Sequence, residues 1–308
     1  CEIARQASPG RLDDKRIAVA ASERFWDFQS FAGQRLFVYS VREFPQYAFT
    51  RSGIKCDNYL LSDVLDNKAF EAPKVLMFAD ACTMTPEQAD SIREKFGNSG
   101  RVLVWFWAPG IFAPGDEKNH SEISGFKLER SSQADGKPIF AIMQDDPLLI
   151  GVKGFLFPWI PGYGMEFGSA WKVADPEAKI LANYFETDIP AMAVKRHKDF
   201  TEIYIGQPGS LTPQLVKNIA MSAGITPICD TDDIMGYGGN ILYLAALSSG
   251  VKTINLPEGS GSVECLTGQN LIQAGAVATV YVDVGDTMVL RLNQKPEDSK
   301  SNWLKSWY

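Results

Sequence analysis

Unbroken apolar runs of five or six residues mark the first half of this chain, with amphipathic stretches between them. The clearest case covers residues 74–110. Val75, Leu76, Met77, Phe78 and Ala79 form one run, and a second ends in Trp105, Phe106 and Trp107 ahead of Ala108-Pro109-Gly110. An apolar run without alternation predicts a strand covered on both faces, as in parallel sheets. Between the runs a helix is predicted, with Thr85 at the N-cap, Pro86 at the first helical position and Gln88 at capping-box spacing; Ala89, Ile92 and Phe96 share one face before Gly97. Strand, helix and strand in this order make a parallel βαβ unit, whose ligand edge lies at the carboxyl ends of its strands. Asp80, Cys82, Trp105 and Trp107 fall at that edge and are the candidate ligand-contacting residues.

The pattern repeats on either side. Residues 16–22 predict a first strand, and the acidic and aromatic loop 23–28 follows. Leu36, Phe37, Val41, Phe44 and Ala48 space a helix over 31–52, which Pro45 is expected to kink or divide. A further strand is predicted at 57–61. Strands at 191–195, 202–206 and 226–229 and a helix at 212–223, capped by Thr212-Pro213, continue the alternation. The fold class is therefore α/β: a doubly wound, mostly parallel sheet with flavodoxin-like layering over 16–249. An insertion around 112–188, rich in Gly, Pro and aromatics, carries strands at 139–143 and 154–157. From about 250 the pattern changes to short strands at 253–256, 263–266, 279–284 and 288–292, a small antiparallel β unit over 250–294. Residues 1–15 read as a linker from a preceding domain, and 295–308 as a C-terminal tail.

Composition narrows the function classes. The chain has 308 residues, 45% of them apolar, and a formal charge of −7. Its scattered Lys and Arg argue against a nucleic-acid surface, and no apolar run nears the roughly 20 residues of a membrane span. Cys1, Cys56, Cys82, Cys229 and Cys265 show neither Cys-x-x-Cys pairing nor regular spacing, so buried thiols are expected rather than a zinc site or disulfide framework. Cys1 reads either as a lipid-carrying residue of an envelope protein or as a cleavage boundary, which leaves location open between cytoplasm and cell envelope. His120 and His197, the only histidines, read as surface or turn residues without metal-ligand spacing. Asp230, Asp232 and Asp233 could offer oxygens to a hard cation, but they lack the glycine and terminal glutamate of a calcium loop, and clustered Asp also caps turns. No cofactor is indicated. Among aromatics, Phe157, Trp159 and Tyr163 are candidates for stacking on sugar faces or for an interface, or else form a plug under a long loop.

Two family resemblances follow. The βαβ pattern suggests a glutamine amidotransferase-like fold, in which the turn after the second run would carry a nucleophilic Cys between glycines; here it reads Phe106-Trp107-Ala108-Pro109. Tyr59-Leu60-Leu61-Ser62-Asp63-Val64-Leu65, the run 75–81, and Trp105-Phe106-Trp107-Ala108-Pro109-Gly110 with Ser121-Glu122-Ile123-Ser124-Gly125-Phe126 behind it resemble the β-galactosidase trimerisation domain of family 42 glycoside hydrolases. The segment 226–239, then Lys252-Thr253-Ile254-Asn255-Leu256-Pro257 and Leu266-Thr267-Gly268, resembles the end of that domain and the small β domain after it. The resemblance implies a catalytic (β/α)₈ barrel of about 250 residues elsewhere, which no part of this sequence pattern encodes. It also implies self-association, with a trimer favoured, or docking onto that barrel.

Two functions stay open. One is a non-catalytic, oligomerising part of a glycoside hydrolase-like protein that lines a carbohydrate site. The other is a stand-alone small-ligand binder or hydrolase using Asp80, Cys82 and Trp107. Without a nucleophile at the turn, the chain itself is expected to hydrolyse neither glutamine nor glycosides.

Overall fold

The computed structural model describes residues 16–23, 44–66, 73–113, 119–141, 145–156, 170–207, 210–257 and 260–294. Chain contacts divide it into two units, one of residues 13–49 and 56–225, the other of 1–12, 50–55 and 226–308.

The larger unit is built on an eight-stranded sheet. Its strands are β1 (Ile17–Ala21), β2 (Cys56–Leu60), β3 (Val75–Asp80), β4 (Arg101–Phe106), β6 (Ile139–Ala141), β8 (Lys179–Tyr184), β9 (Pro190–Arg196) and β10 (Phe200–Ile205), while β5 (Leu128–Arg130) and β7 (Trp171–Val173) pair separately. The order is β2-β1-β3-β4-β10-β9-β8-β6. The first five strands run parallel, and β9, β8 and β6 follow, each antiparallel to the strand before it, so that β9 and β6 oppose the first five and β8 runs with them. The expected mostly parallel sheet is thus a mixed one in a largely β molecule. The reversal follows from a connection too short for a crossover: only 197–199 separate β9 from β10, which permits a hairpin and forbids a parallel return.

The helices are few: α1 (Phe44–Arg51), α2 (Leu61–Asp66), α3 (Pro86–Phe96), α4 (Asn119–Ser124) and α5 (Pro213–Ser222). On α3 the capping box closes in both directions, with the Gln88 amide donating to Thr85 Oγ1 at 3.4 Å and Thr85 N–H donating to Gln88 Oε1 at 3.0 Å. Its Ala89, Ile92 and Phe96 pack with Leu76, Phe78, Leu103 and Trp105 in one core. Thr212 caps α5 by a single bond, its Oγ1 accepting from the Leu215 amide at 3.1 Å. Pro45 sits in the first turn of α1, where no amide hydrogen is required, and so starts the described helix instead of kinking it. The expected strand at 226–229 is irregular, with one isolated bridge from Cys229 to Ile254, and at 154–157 only Phe155 bridges, to Phe140.

The smaller unit holds two antiparallel sheets, introduced by β11 (Ile234–Gly238) and β12 (Ile241–Ala245). β13 (Gly250–Asn255), β14 (Ser260–Cys265), β15 (Leu271–Ala274), β16 (Val277–Val282) and β17 (Thr287–Gln294) complete them. The orders are β11-β12-β17-β14 and β13-β16-β15. Alternate residues such as Leu242, Leu244, Ile254, Val280 and Leu290 face one shared core. Gly53, at φ 69°, is obligatory here, since a Cβ would stand 2.0 Å from the Cys229 carbonyl oxygen.

Candidate functional site

The chain passes from β1 outward to β2 and then returns to the other side of β1 as β3, so the sheet order reverses between β1 and β3. In open α/β sheets a crevice forms at the carboxyl side of such a reversal, because connections leave it in opposite directions. Ser22 follows β1, Asp80 ends β3, and Cys82 and Thr83 come next. Ala21 is the register partner of Asp80. The hydroxyls of Ser22 and Thr83 lie 2.8 Å apart.

Asp80 is 4% exposed. Its Oδ1 accepts from the Cys82 amide at 3.4 Å, whereas Oδ2, also buried, meets no donor at hydrogen-bonding geometry. Burial pushes its pKa up to about 6, against the pull of the Cys82 thiol and the nearby Cys82 and Ser22 amides. Burial likewise drives the Cys82 thiol well above its ordinary value, with the Asp80 charge adding to the shift. A buried, protonated thiol is no nucleophile.

The turn after β4 holds the second oddity. Trp107 has φ 55°, a left-handed backbone that bulky residues rarely adopt. Its amide donates to Ile205 O at 2.8 Å and its carbonyl accepts from the Tyr204 hydroxyl at 2.6 Å, which locks the turn. A strained turn after a strand is the geometry that exposes a nucleophile in hydrolases, yet an indole occupies it here. Trp105 does not reach the edge. It is fully buried, stacks on Phe78 with centroids 4.3 Å apart, and donates through Nε1 to Glu202 Oε1 at 3.3 Å.

Glu202 escaped notice in the sequence, although a glutamate inside an otherwise apolar strand is a signal of buried pairing. It accepts from Arg93 Nε at 2.8 Å and pairs with His197 Nε2 at 3.0 Å. Gly125 packs so closely that a Cβ would lie 2.9 Å from Glu202 Oε2. His120, expected at the surface, is buried on α4 with Nδ1 2.7 Å from Pro109 O and its ring edge-on to Trp171. Neither histidine stands at Cys82 in any described contact.

The acidic loop is structural. Asp233 is fully buried, 2.8 Å from Lys252 Nζ, and also accepts from the Leu247 amide and the Thr231 hydroxyl. Asp232 pairs with Arg51, while Asp230 is exposed. Among the described residues no group of three or more His, Cys, Asp or Glu is placed to hold a metal ion, and no helix is long and apolar enough to cross a membrane. Phe157, Trp159 and Tyr163 lie outside the described residues. Just before them, Phe155 packs against Phe140 and Phe185, and Leu156 is buried.

No family model and no curated protein matches the chain. Its fold is similar to part of several solved β-galactosidases. One from the Antarctic haloarchaeon Halorubrum lacusprofundi is 15% identical, with TM-score 0.53 over 94% of this chain and 41% of that one. A GH42 β-galactosidase from G. stearothermophilus is 14% identical, with TM-score 0.55 over 92% and 41%. A third, from Rahnella, is 13% identical, with TM-score 0.58 over 92% and 41%. The chain therefore spans about two fifths of the length of the enzymes it resembles.

Proposed function

We propose that this chain is the non-catalytic part of a glycoside hydrolase-like protein, equivalent to a trimerisation domain with its following small β domain. In this reading residues 1–15 link it to a catalytic barrel, the chain self-associates as a trimer or docks on that barrel, and its aromatic segment around Phe157, Trp159 and Tyr163 meets the partner or a sugar. The observation that carries the reading is the turn after β4, where the strained backbone of a nucleophile elbow is kept and Trp107 takes the place of the nucleophile. The fold likeness to about two fifths of the length of three β-galactosidases supports it. Light scattering on the purified chain tests it, beside a Phe157→Ala, Trp159→Ala double variant, with nitrophenyl galactoside hydrolysis followed on the same samples. The expected result is a mass of three chains that falls in the variant, and hydrolysis equal to buffer. A wild type that stays monomeric at high concentration with the aromatic segment buried inside its own fold, or hydrolysis abolished by Cys82→Ala, overturns the reading.

A second reading, a small-ligand site at the sheet edge, is favoured by one specific observation, the unpartnered Oδ2 of Asp80.

A further inference from the structure

Charge decides what that edge could hold. The described segments that follow the parallel strands, residues 22–23, 61–66, 81–85, 107–113 and 206–207, carry Glu23, Asp63 and Asp66, contain no lysine or arginine, and adjoin Asp80 at the end of β3. Glu23 is already engaged, accepting from the Ser62 amide at 2.9 Å. The amino end of α3, the other local source of positive potential, is closed by its own capping box. Among the described residues an anion would meet no counter-charge at this edge. Asp80 is the reverse case, a buried carboxylate whose Oδ2 has no partner at hydrogen-bonding geometry, with only the Cys82 thiol and the Cys82 and Ser22 amides acting on the group and no cationic side chain among the described residues to neutralise it. Burying such a group costs free energy that the fold itself does not recover, and departures of this kind are expected where a ligand completes the set. The strained Trp107 stands at the same edge, two residues past Trp105, just as Asp80 stands two past Phe78, the register partner of Trp105.

We propose that the β1/β3 edge binds a small molecule through a primary ammonium group, with Asp80 Oδ2 as its counter-ion and the neighbouring Ser22 and Thr83 hydroxyls as further acceptors. An ammonium carries three donors and no acceptor, which matches three oxygens on adjacent strand ends; a neutral alcohol would leave the buried charge unpaired. Thr83 and Trp107, on the segments that follow β3 and β4, are half-buried. The inference takes up the second reading above and is independent of self-association, so a monomeric chain would leave it intact.

The test is an amide NMR titration of the full chain at neutral pH with n-butylammonium, and separately with its isosteric alcohol n-butanol, with galactose and with sulfate. Saturable shifts at Ser22, Cys82 and Thr83 are expected for butylammonium alone. Apparent affinity should be about tenfold or more below this for butanol, as for loss of one charged hydrogen bond, and lost in Asp80→Asn. Equal shifts with butanol or galactose, no saturation with butylammonium, or an unchanged response in a folded Asp80→Asn overturns the proposal. Should Asp80→Asn lose its dispersed spectrum, the wild-type contrast between butylammonium and butanol decides alone.

Discussion

Asp80, at the end of β3, and Asp233, at the end of the acidic loop, are both buried aspartates, and their surroundings drive them in opposite directions. Asp233 gives one oxygen to the Leu247 amide and the other to Lys252 and Thr231. Burial pushes its pKa up, but those donors more than offset this, and the group ends below its ordinary value. Asp80 has a weak 3.4 Å amide contact and one oxygen with no donor, so burial wins and its pKa rises to about 6. Burial by itself does not say whether a carboxylate supports a fold. Its partners do, and a site that leaves one partner out is the place to look for a ligand.

The largest expected effect comes from making Asp233 resemble Asp80. Lys252→Ala strands a fully buried charge and should cost about 3–5 kcal/mol in denaturant unfolding near neutral pH. Because the pKa of Asp233 is depressed in the folded state, the stability from its pairing is present above about pH 4 and fades on acidification, so the cost should shrink toward pH 3. A Lys252→Met, Asp233→Leu double variant should recover most of the loss; failure to do so would mean that Lys252 acts through packing.

Asp80→Asn is the converse change and should stabilise. The folded-state pKa is raised, so the penalty is absent well below pH 4, where both states are protonated, grows between about pH 4 and 6, and is constant above. A shift from 3.8 to about 6 sets an upper bound of about 3 kcal/mol at pH 7.5. Thermal melts at pH 4 and 7.5 should show the variant gaining only at the higher pH, and a gain of equal size at both would deny that charge is the cause.

The smallest change sharpens the comparison by one bond. Thr231→Val deletes the 2.6 Å donor to Asp233 while Lys252 stays, and should cost about 1 kcal/mol by chemical unfolding. A loss as large as that of Lys252→Ala would show that the hydroxyl, not the ammonium, holds the loop.

The sequence reading ranked these two aspartates imperfectly, for a physical reason. It placed Asp80 at the ligand edge because apolar periodicity locates strand ends, but nothing local shows that Oδ2 lacks a donor. For Asp230, Asp232 and Asp233 it leaves a cation and turn capping both open, since neither Lys252 on β13 nor Arg51 on α1 can be assigned to Asp233 and Asp232 until the chain folds. Trp105 was sent to the edge with Trp107, yet their backbones differ: the left-handed turn begins only at Trp107, and Trp105 still points into the core beside Glu202.

What the sequence determined by itself is whatever acts within a few residues. Thr85, Pro86 and Gln88 specify the start of α3 through bonds that span three positions, Thr212 does so for α5, and uninterrupted apolar runs specify β1, β3 and β4 because a strand covered on both faces cannot alternate. Tertiary structure alone decided the direction of β9, β8 and β6, the hairpin that Gly238, Gly239 and Asn240 make between β11 and β12, and the partners of each buried charge. Those outcomes depend on which strand edge is open and on which cation arrives from a distant segment, and neither is written in the residues beside it.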